Sequence, residues 1–528
     1  MTNPISIIRS LLIYGLCLPL AIYLGYLLAN PMDRVSFGVV IVVLFLPLIP
    51  LLLRWHHFLL VMSWNMSVVL FFIPGSPYLW LLMTALSLGL TALQYVLKRN
   101  VQFASVPSVT LPLLVLAGVI VITAELTGGV GIRAFGDEAI GGKRYIMLLG
   151  AIAGYFALTS HRIPPGRGVL YVALYFLGSL TLIVSNAGPW LPSSLYFIFA
   201  LFPVDRLGAL TGDATQGDFV RLTGVTLAAM GALFFVLARH GMRGVFDLGE
   251  RWRFLPLRFR GGLAINQPWR LLFFFGVVVI SLLGGYRSSV IMIALVLLGL
   301  FHLEGLARTK LMPVFVLLGI IVVAIGLPLV DKLPITIQRG LSFLPIEVNP
   351  IARADAENSS EWRLKIWREV VPTIPQYLLV GKGYSIDARE LEEATAFAEY
   401  NKNDTGITAT VASDFHNGGL SLIIPLGLFG LISFLWFLAA AFRVLRYNYR
   451  YGDAEYRRIN TFLLAYFTVR VLFFFVIFGS FHTELMIFTG LIGLSISLNG
   501  GMCRPAPAHA LAPNPAYLPF RLPKVVKA

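Results

Sequence analysis

The chain has 528 residues, 57% hydrophobic and 13% charged, with a formal net charge of +15. That balance excludes an ordinary soluble fold, whereas repeated apolar runs long enough to cross a bilayer account for it directly. The positive charge does not point to nucleic acid, because it is spread over many short loops and does not gather on one soluble face.

The first apolar run, about Ile7–Leu28, carries Arg9 and lacks a small-residue cleavage site. It reads as a retained helix, not a signal peptide. In all, about fourteen candidate spans occur along the chain. They centre on residues 11–29, 35–53, 58–73, 78–97, 111–125, 145–158, 169–185, 222–238, 271–284, 288–303, 312–329, 418–442, 461–479 and 485–499. With the N-terminus inside, alternate loops collect Arg54, Lys98, Arg99, Arg162, Arg167, the arginines from Arg239 to Arg270, Arg308, Lys310 and those from Arg443 to Arg458. Together with Arg9 and the tail, these loops hold more than half of the 41 Lys and Arg, the bias of positive-inside orientation. Both termini are then cytoplasmic, and residues 330–417 face outward. The expected organisation is all-α and polytopic, with about 12–14 transmembrane helices. Helices with short loops fill 1–329, one large outward loop fills 330–417, and C-terminal helices fill 418–500. The Pro/Ala-rich residues 501–528 form a disordered tail.

Within the outward loop, Asn358-Ser-Ser-Glu361 resembles a capping box ahead of Trp362, Ile366, Trp367 and Val370, which share one helical face. An amphipathic helix near the membrane surface is expected there, followed by a turn at Gly381-Lys382-Gly383-Tyr384. The loop then runs back into an apolar helix at His416-Asn417. A histidine held at a helix start on the water–lipid boundary is well placed for proton transfer on a lipid-linked substrate. Asn417 is expected to cap that helix or to orient His416.

Several basic residues fall outside the cytoplasmic loops. Arg287 follows the short turn Gly284-Gly285-Tyr286, Arg221 opens the eighth span, and Lys143 and Arg144 precede Tyr145. With Arg363 they would lie at the outer face near the depth of His416. Arginine binds oxyanions bidentately and stays charged, so such a group suits phosphate or pyrophosphate. Any one of them alone is equally well read as snorkelling to headgroups. Arg470 lies in mid-span, where lipid exposure costs about 2.5–3.5 kcal/mol, and it calls for a partner such as Glu125 or Glu484.

Neither a metal nor a cofactor is expected. Gly136 to Lys143 reads Gly-x4-Gly-Gly-Lys-Arg, with the lysine one place late for a phosphate loop and no Ser/Thr after it. His56-His57 lacks ligands at metal spacing, and Asp213 and Asp218 are isolated. Glu390, Glu392 and Glu393 read as a solvated helix face. Cys17 and Cys503 offer no disulfide framework.

His416-Asn417, nine residues, Gly427, two residues and Gly430 fit a pattern associated with O-antigen ligases. Arg287-Ser288-Ser289 between paired spans, Glu361-Trp362-Arg363 with Trp367, and Gly381-x-Gly383 stand in the matching order. Over about 270–435 the chain therefore resembles the O-antigen ligase/polymerase superfamily, though it is longer than the usual ligases. The resemblance implies a GT-C-type glycosyltransferase of the bacterial inner membrane with a periplasmic active site. It implies a glycan donor on undecaprenyl pyrophosphate, and no nucleotide sugar or essential metal. His416 would be the general base, Arg287 and Arg363 would neutralise the departing pyrophosphate, and Arg221, Lys143 and Arg144 would hold the same group. The favoured acceptor is lipid A-core. The sister reaction, polymerisation of repeat units onto a second lipid-linked glycan, would use a similar site. A polysaccharide exporter or flippase also explains many spans, but not the large loop and its histidine.

Overall fold

The computed structural model describes residues 49–73, 75–97, 104, 106–128, 142–204, 221–246, 251–253, 264–266, 268–309, 311–385, 392 and 415–505, with short pieces between 19 and 26. The expected spans at 11–29 and 35–53 lie mostly outside these residues. So do Cys17, the Gly136 loop, Asp213 and Asp218, Glu390 and Glu393, and the tail beyond 505. The chain divides into two units, Met1–Leu59 and Leu60–Ala528. Of the first, little more than the start of helix α1 (Ile49–Ser63) is described.

The second unit is built from α-helices. They are α2 (Leu79–Leu97), α3 (Pro107–Thr127), α4 (Gly142–Thr159), α5 (Gly168–Leu177), α6 (Thr223–Phe246), α7 (Pro268–Ser281), α8 (Arg287–Leu303) and α9 (Leu311–Gly326). After the short α10 (Ile335–Leu341) and the long α11 (Pro350–Val370) come α12 (Leu420–Tyr451), α13 (Arg457–Val476) and α14 (Phe481–Asn499). The exception to all-α is a small antiparallel pair between α6 and α7, β1 (Arg251–Arg253) with β2 (Ala264–Asn266).

Among the described residues, seven helices are long and apolar enough to cross a membrane: α2, α3, α5 with its 3-10 continuation to Asn186, α6, α12, α13 and α14. α7 and α8 are shorter apolar helices. The expected span at 58–73 is displaced. Its helix ends at Ser63, and beyond it the chain turns back through a β-bridge between Val69 and Tyr78. Gly75 and Ser76, both at positive φ, make that turn, which an apolar composition alone does not reveal.

α14 packs on α4, α3 on α12, α8 on α13, and α6 on both α7 and the 3-10 stretch after α5. Between α12, α13 and α14, Phe434 meets Phe474, Phe481 and Phe488 with ring centroids 5.0–5.7 Å apart. Burial of aromatic area and edge-to-face geometry both favour this arrangement. Beside it Arg470 Nη2 donates to both carboxylate oxygens of Glu484 at 2.6 Å. Of the two partners expected for Arg470, Glu484 is the one taken.

α12 is two helices in one. Pro425 removes a backbone donor, and Gly427 adopts φ 66° and ψ −165°, a conformation open only to glycine. The groups that this break releases are taken up by the segment after α11. Lys382 N donates to Ile424 O at 2.7 Å, Gly383 N to Pro425 O at 3.0 Å, and Leu428 N to Leu378 O at 2.6 Å. A Cβ on Gly427 would lie 2.7 Å from Leu379 O. Gly427→Ala is therefore expected to lower stability by about 1–3 kcal/mol, seen as a fall in the unfolding midpoint in detergent. Gly118→Ala in α3, where a Cβ meets nothing within 4 Å, should leave the midpoint in place. Equal midpoints for the two variants would show that the break is not held as described.

Candidate functional site

α11 organises the polar end of the bundle. Its start differs from the sequence expectation. The helix begins at Pro350, with Asn349 Oδ1 accepting from Ile351 N at 2.9 Å, eight residues before the Asn358 capping box. Asn349 supplies the cap and Pro350 the first helical residue, a pairing that needs no reciprocal glutamate. Asn358 to Glu361 lie inside the helix. The expected apolar face is present all the same. Ile366 and Val370 are buried with Phe415, Leu420 and Ile424, and Trp362 and Trp367 pack against them. Trp367 Nε1 donates to Phe415 O at 2.8 Å. This seam fixes α11 against the start of α12, and so against His416.

One end of α11 meets a cluster of arginines. Asp355 Oδ2 accepts from Arg221 Nη2 at 2.6 Å and from Arg339 Nε. Arg339 Nη1 also donates to Gly285 O at 2.6 Å. Arg287 Nη2 donates to Ala356 O and Ser360 Oγ, each at 2.8 Å. Three guanidinium groups thus surround one carboxylate, and the cluster keeps a net positive charge. Arg339 is buried. Burial, then the Arg221 cation, push its guanidinium down from the usual range, and Asp355 pulls it back. It remains charged, because guanidinium is not deprotonated in proteins.

Glycine places Arg287 here. Gly285 has φ 67°, and a Cβ on Gly284 would stand 2.6 Å from Thr226 Oγ1. Gly284 N donates to that hydroxyl at 2.7 Å, and Tyr286 Oη lies 2.7 Å from Thr223 Oγ1. The turn is thereby tied to the start of α6, which carries Arg221 just before it. Arg287 is the first residue of α8, so the expected Arg287-Ser288-Ser289 turn lies slightly earlier, at Gly284–Tyr286.

About 10 Å further along α11, the seven residues from Asp355 to Trp362 at 1.5 Å rise, stands the histidine. His416 is half-buried between two aromatic rings, edge to face with Trp362 at 5.1 Å and Phe478 at 4.9 Å. Arg363 lies over the same Phe478 ring at 5.8 Å. The backbone of His416 sits at φ 50°, uncommon outside glycine but more accessible to histidine and asparagine. Asn417 Oδ1 accepts from Leu420 N at 3.0 Å, so Asn417 caps α12, one of its two expected roles. Among the described residues, Trp362 Nε1 beside His416 and Arg221 Nε in the arginine cluster are buried donors without an acceptor.

The expected site residues fall into two groups. Arg221, Arg287, Arg363, His416 and Asn417 are gathered along α11 and its seam with α12. Lys143 and Arg144, at the start of α4, belong elsewhere. Lys143 Nζ lies over the Tyr78 ring at 5.7 Å and Arg144 over Tyr384 at 5.8 Å. Tyr384 N donates to Tyr145 Oη at 2.8 Å, which ties this corner to the broken start of α12. Sequence reasoning missed Arg339, Asp355, Ser360 and Phe478. The pairs that define them join residues as far apart as Arg221 and Asp355, and no local pattern announces them.

Helices of bilayer length, with a cationic cluster and a histidine gathered where several of them end, define a multi-pass membrane protein with a polar site at one end of its bundle. Residues 271–435 match the family model described as O-antigen ligase. The match supports the resemblance to the O-antigen ligase/polymerase superfamily and, in general terms, a ligase- or polymerase-type activity on lipid-linked glycans. It takes in Arg287, Arg339, Asp355, Arg363, His416 and both motif glycines; Arg221, Lys143 and Arg144 lie outside it. Among curated proteins, no relative matches the chain.

Proposed function

We propose that this protein transfers a glycan from undecaprenyl pyrophosphate to an acceptor hydroxyl at the periplasmic face of the bacterial inner membrane, with lipid A-core as the acceptor. The observation that carries the reading is the pairing, along α11, of the arginine cluster with His416. The reaction needs two things in one place. A base must take the acceptor hydroxyl's proton as oxygen attacks the anomeric carbon, and cations must stabilise the pyrophosphate that leaves.

His416 supplies the base. Its aromatic walls, Trp362 and Phe478, orient the imidazole and leave it half-exposed. Arg287, Arg363 and Arg221 receive the diphosphate, whose oxygens match the guanidinium fork. The Arg221 Nε and Trp362 Nε1 donors are of the kind that phosphate or sugar oxygens satisfy. Lys143 and Arg144 contribute a basic corner beside Tyr384, through which the donor's charged headgroup would pass. The chemistry needs no metal, because guanidinium groups supply the electrophilic charge. The outward placement of residues 330–417 rests on the cationic bias of the opposite loops.

The size of glycan left on undecaprenyl pyrophosphate in a strain lacking the protein tests the reading. Long polymers stranded on the lipid are the expected result and mean that ligation is missing. Single stranded repeat units would identify the protein as the polymerase instead. Lipid-linked glycan held on the cytoplasmic leaflet would make it a flippase and overturn the assignment.

A further inference from the structure

The bundle has a second basic concavity, at the end opposite the site. A cavity of about 430 Å³ is lined by Val169, Arg239, His240, Arg270, Glu455 and Arg458. Four helices place it there. Arg239 lies toward the end of α6, whose beginning is next to Arg221; sixteen residues from Thr223 span about 24 Å. Arg270 opens α7, which runs to the Gly284–Arg287 turn. Arg458 lies in the first turn of α13, which ends at Val476 just before Phe478, and Val169 lies in the first turn of α5. Each element that meets the site near one end, α6, α7 and α13, meets this cavity near the other.

The acids nearby do not balance these cations. Glu455 Oε1 accepts from Gly166 N at 3.1 Å. Glu304 caps a break in α6, where Gly241 has φ 65°: its carboxylate accepts from Met242 N at 2.7 Å and Arg243 N at 3.0 Å. Both carboxylates are engaged by backbone donors, and among the described residues Arg239 and Arg458 are in no ion pair.

We infer that this cavity binds an anionic phosphate group, as a phospholipid headgroup or as a free phosphate or pyrophosphate ion. Guanidinium groups on separate helix ends can grip one phosphate from several sides, which a lone snorkelling arginine cannot do. Nothing in the inference depends on the transfer reaction, since Arg239 and Arg458 are not placed in that site.

Native mass spectrometry of the full chain in detergent, with phosphatidylglycerol or phosphatidylcholine as the probe, tests it. The wild type is expected to retain phosphatidylglycerol in preference to phosphatidylcholine. The Arg239→Gln/Arg458→Gln double variant should lose about thirtyfold in that retention. Both arginines are exposed, so the unfolding midpoint of the variant should stay in place, which separates lost binding from lost fold. Displacement of the lipid by millimolar pyrophosphate would identify a free anion as an alternative occupant, and resistance to it would identify the lipid. Undiminished phosphatidylglycerol retention by the folded double variant, or equal retention of phosphatidylcholine by the wild type, would overturn the inference.

Discussion

His416→Asn is expected to reduce glycan transfer by on the order of 10²–10⁴-fold, the usual contribution of a positioned general base. Asparagine is the informative replacement. At φ 50° an alanine would add backbone strain of about 1–2 kcal/mol, whereas asparagine tolerates the left-handed region. The variant therefore removes the imidazole without disturbing the start of α12, whose cap comes from Asn417. Loss of the two edge-to-face contacts should cost roughly 0.5–1.5 kcal/mol apiece, a stability change too small to explain so large a loss of turnover. The loss should appear in kcat measured on lipid-linked donor, with the protein still inserted and its unfolding midpoint only slightly lowered. Full turnover by His416→Asn would remove the histidine from the mechanism. The arginine cluster and its Asp355 anchor would then remain as a binding site without a base.

Glu484→Gln should destabilise the protein by about 3–5 kcal/mol, because it leaves the Arg470 charge buried without a counter-ion. The pair lies between α13 and α14, with side chains only 12% and 7% exposed. Arg470 also lines a cavity of about 240 Å³ with Tyr175, Phe234 and Tyr466, so the stranded guanidinium would face mostly apolar and phenolic surface. Replacing both partners reverses the argument. An apolar pair of similar volume, Arg470→Met with Glu484→Leu, gives up the attraction and the desolvation cost together and should stay close to the wild type. Unfolding midpoints of the single and double variants in detergent compare them directly. If the double variant were as unstable as the single one, the ion pair would not be the source of the effect.

Much of this was legible in the sequence for identifiable reasons. The spans α2, α3, α5, α6, α12, α13 and α14 announced themselves by apolar length. Arg470 had to find an acid, and one of the two candidates took it. The apolar face of α11 followed from the spacing of Trp362, Ile366 and Val370, although the helix start did not. Asn349-Pro350 and Asn358-Ser-Ser-Glu361 are both respectable starts, and the structure uses the earlier. Arg339 and Asp355 were not legible, because what distinguishes them is a contact made across the fold. Arg339 reads locally as one more basic residue, and only its proximity to Gly285 and Asp355 gives it weight. Gly427 was legible as a motif position but not as a backbone device. Its meaning depends on which segment fills the gap in α12. Lys143 and Arg144 show the opposite limit: a cationic pair at a helix start looked like part of the site, and ring contacts with Tyr78 and Tyr384 give them a corner of their own.

The hydrogen bonds from Lys382 and Gly383 to the opened turn of α12 have a consequence for how such chains can vary. The polypeptide reaches α12 at Gly383, departs, and comes back to the same helix through Phe415 and His416. One foot is held by Ile424 and Pro425 and the other by the bond from Trp367 to Phe415, so each is fixed by contacts of its own. The histidine and α11 are therefore positioned by these two anchors, and a change confined to the residues between them should leave both where they are.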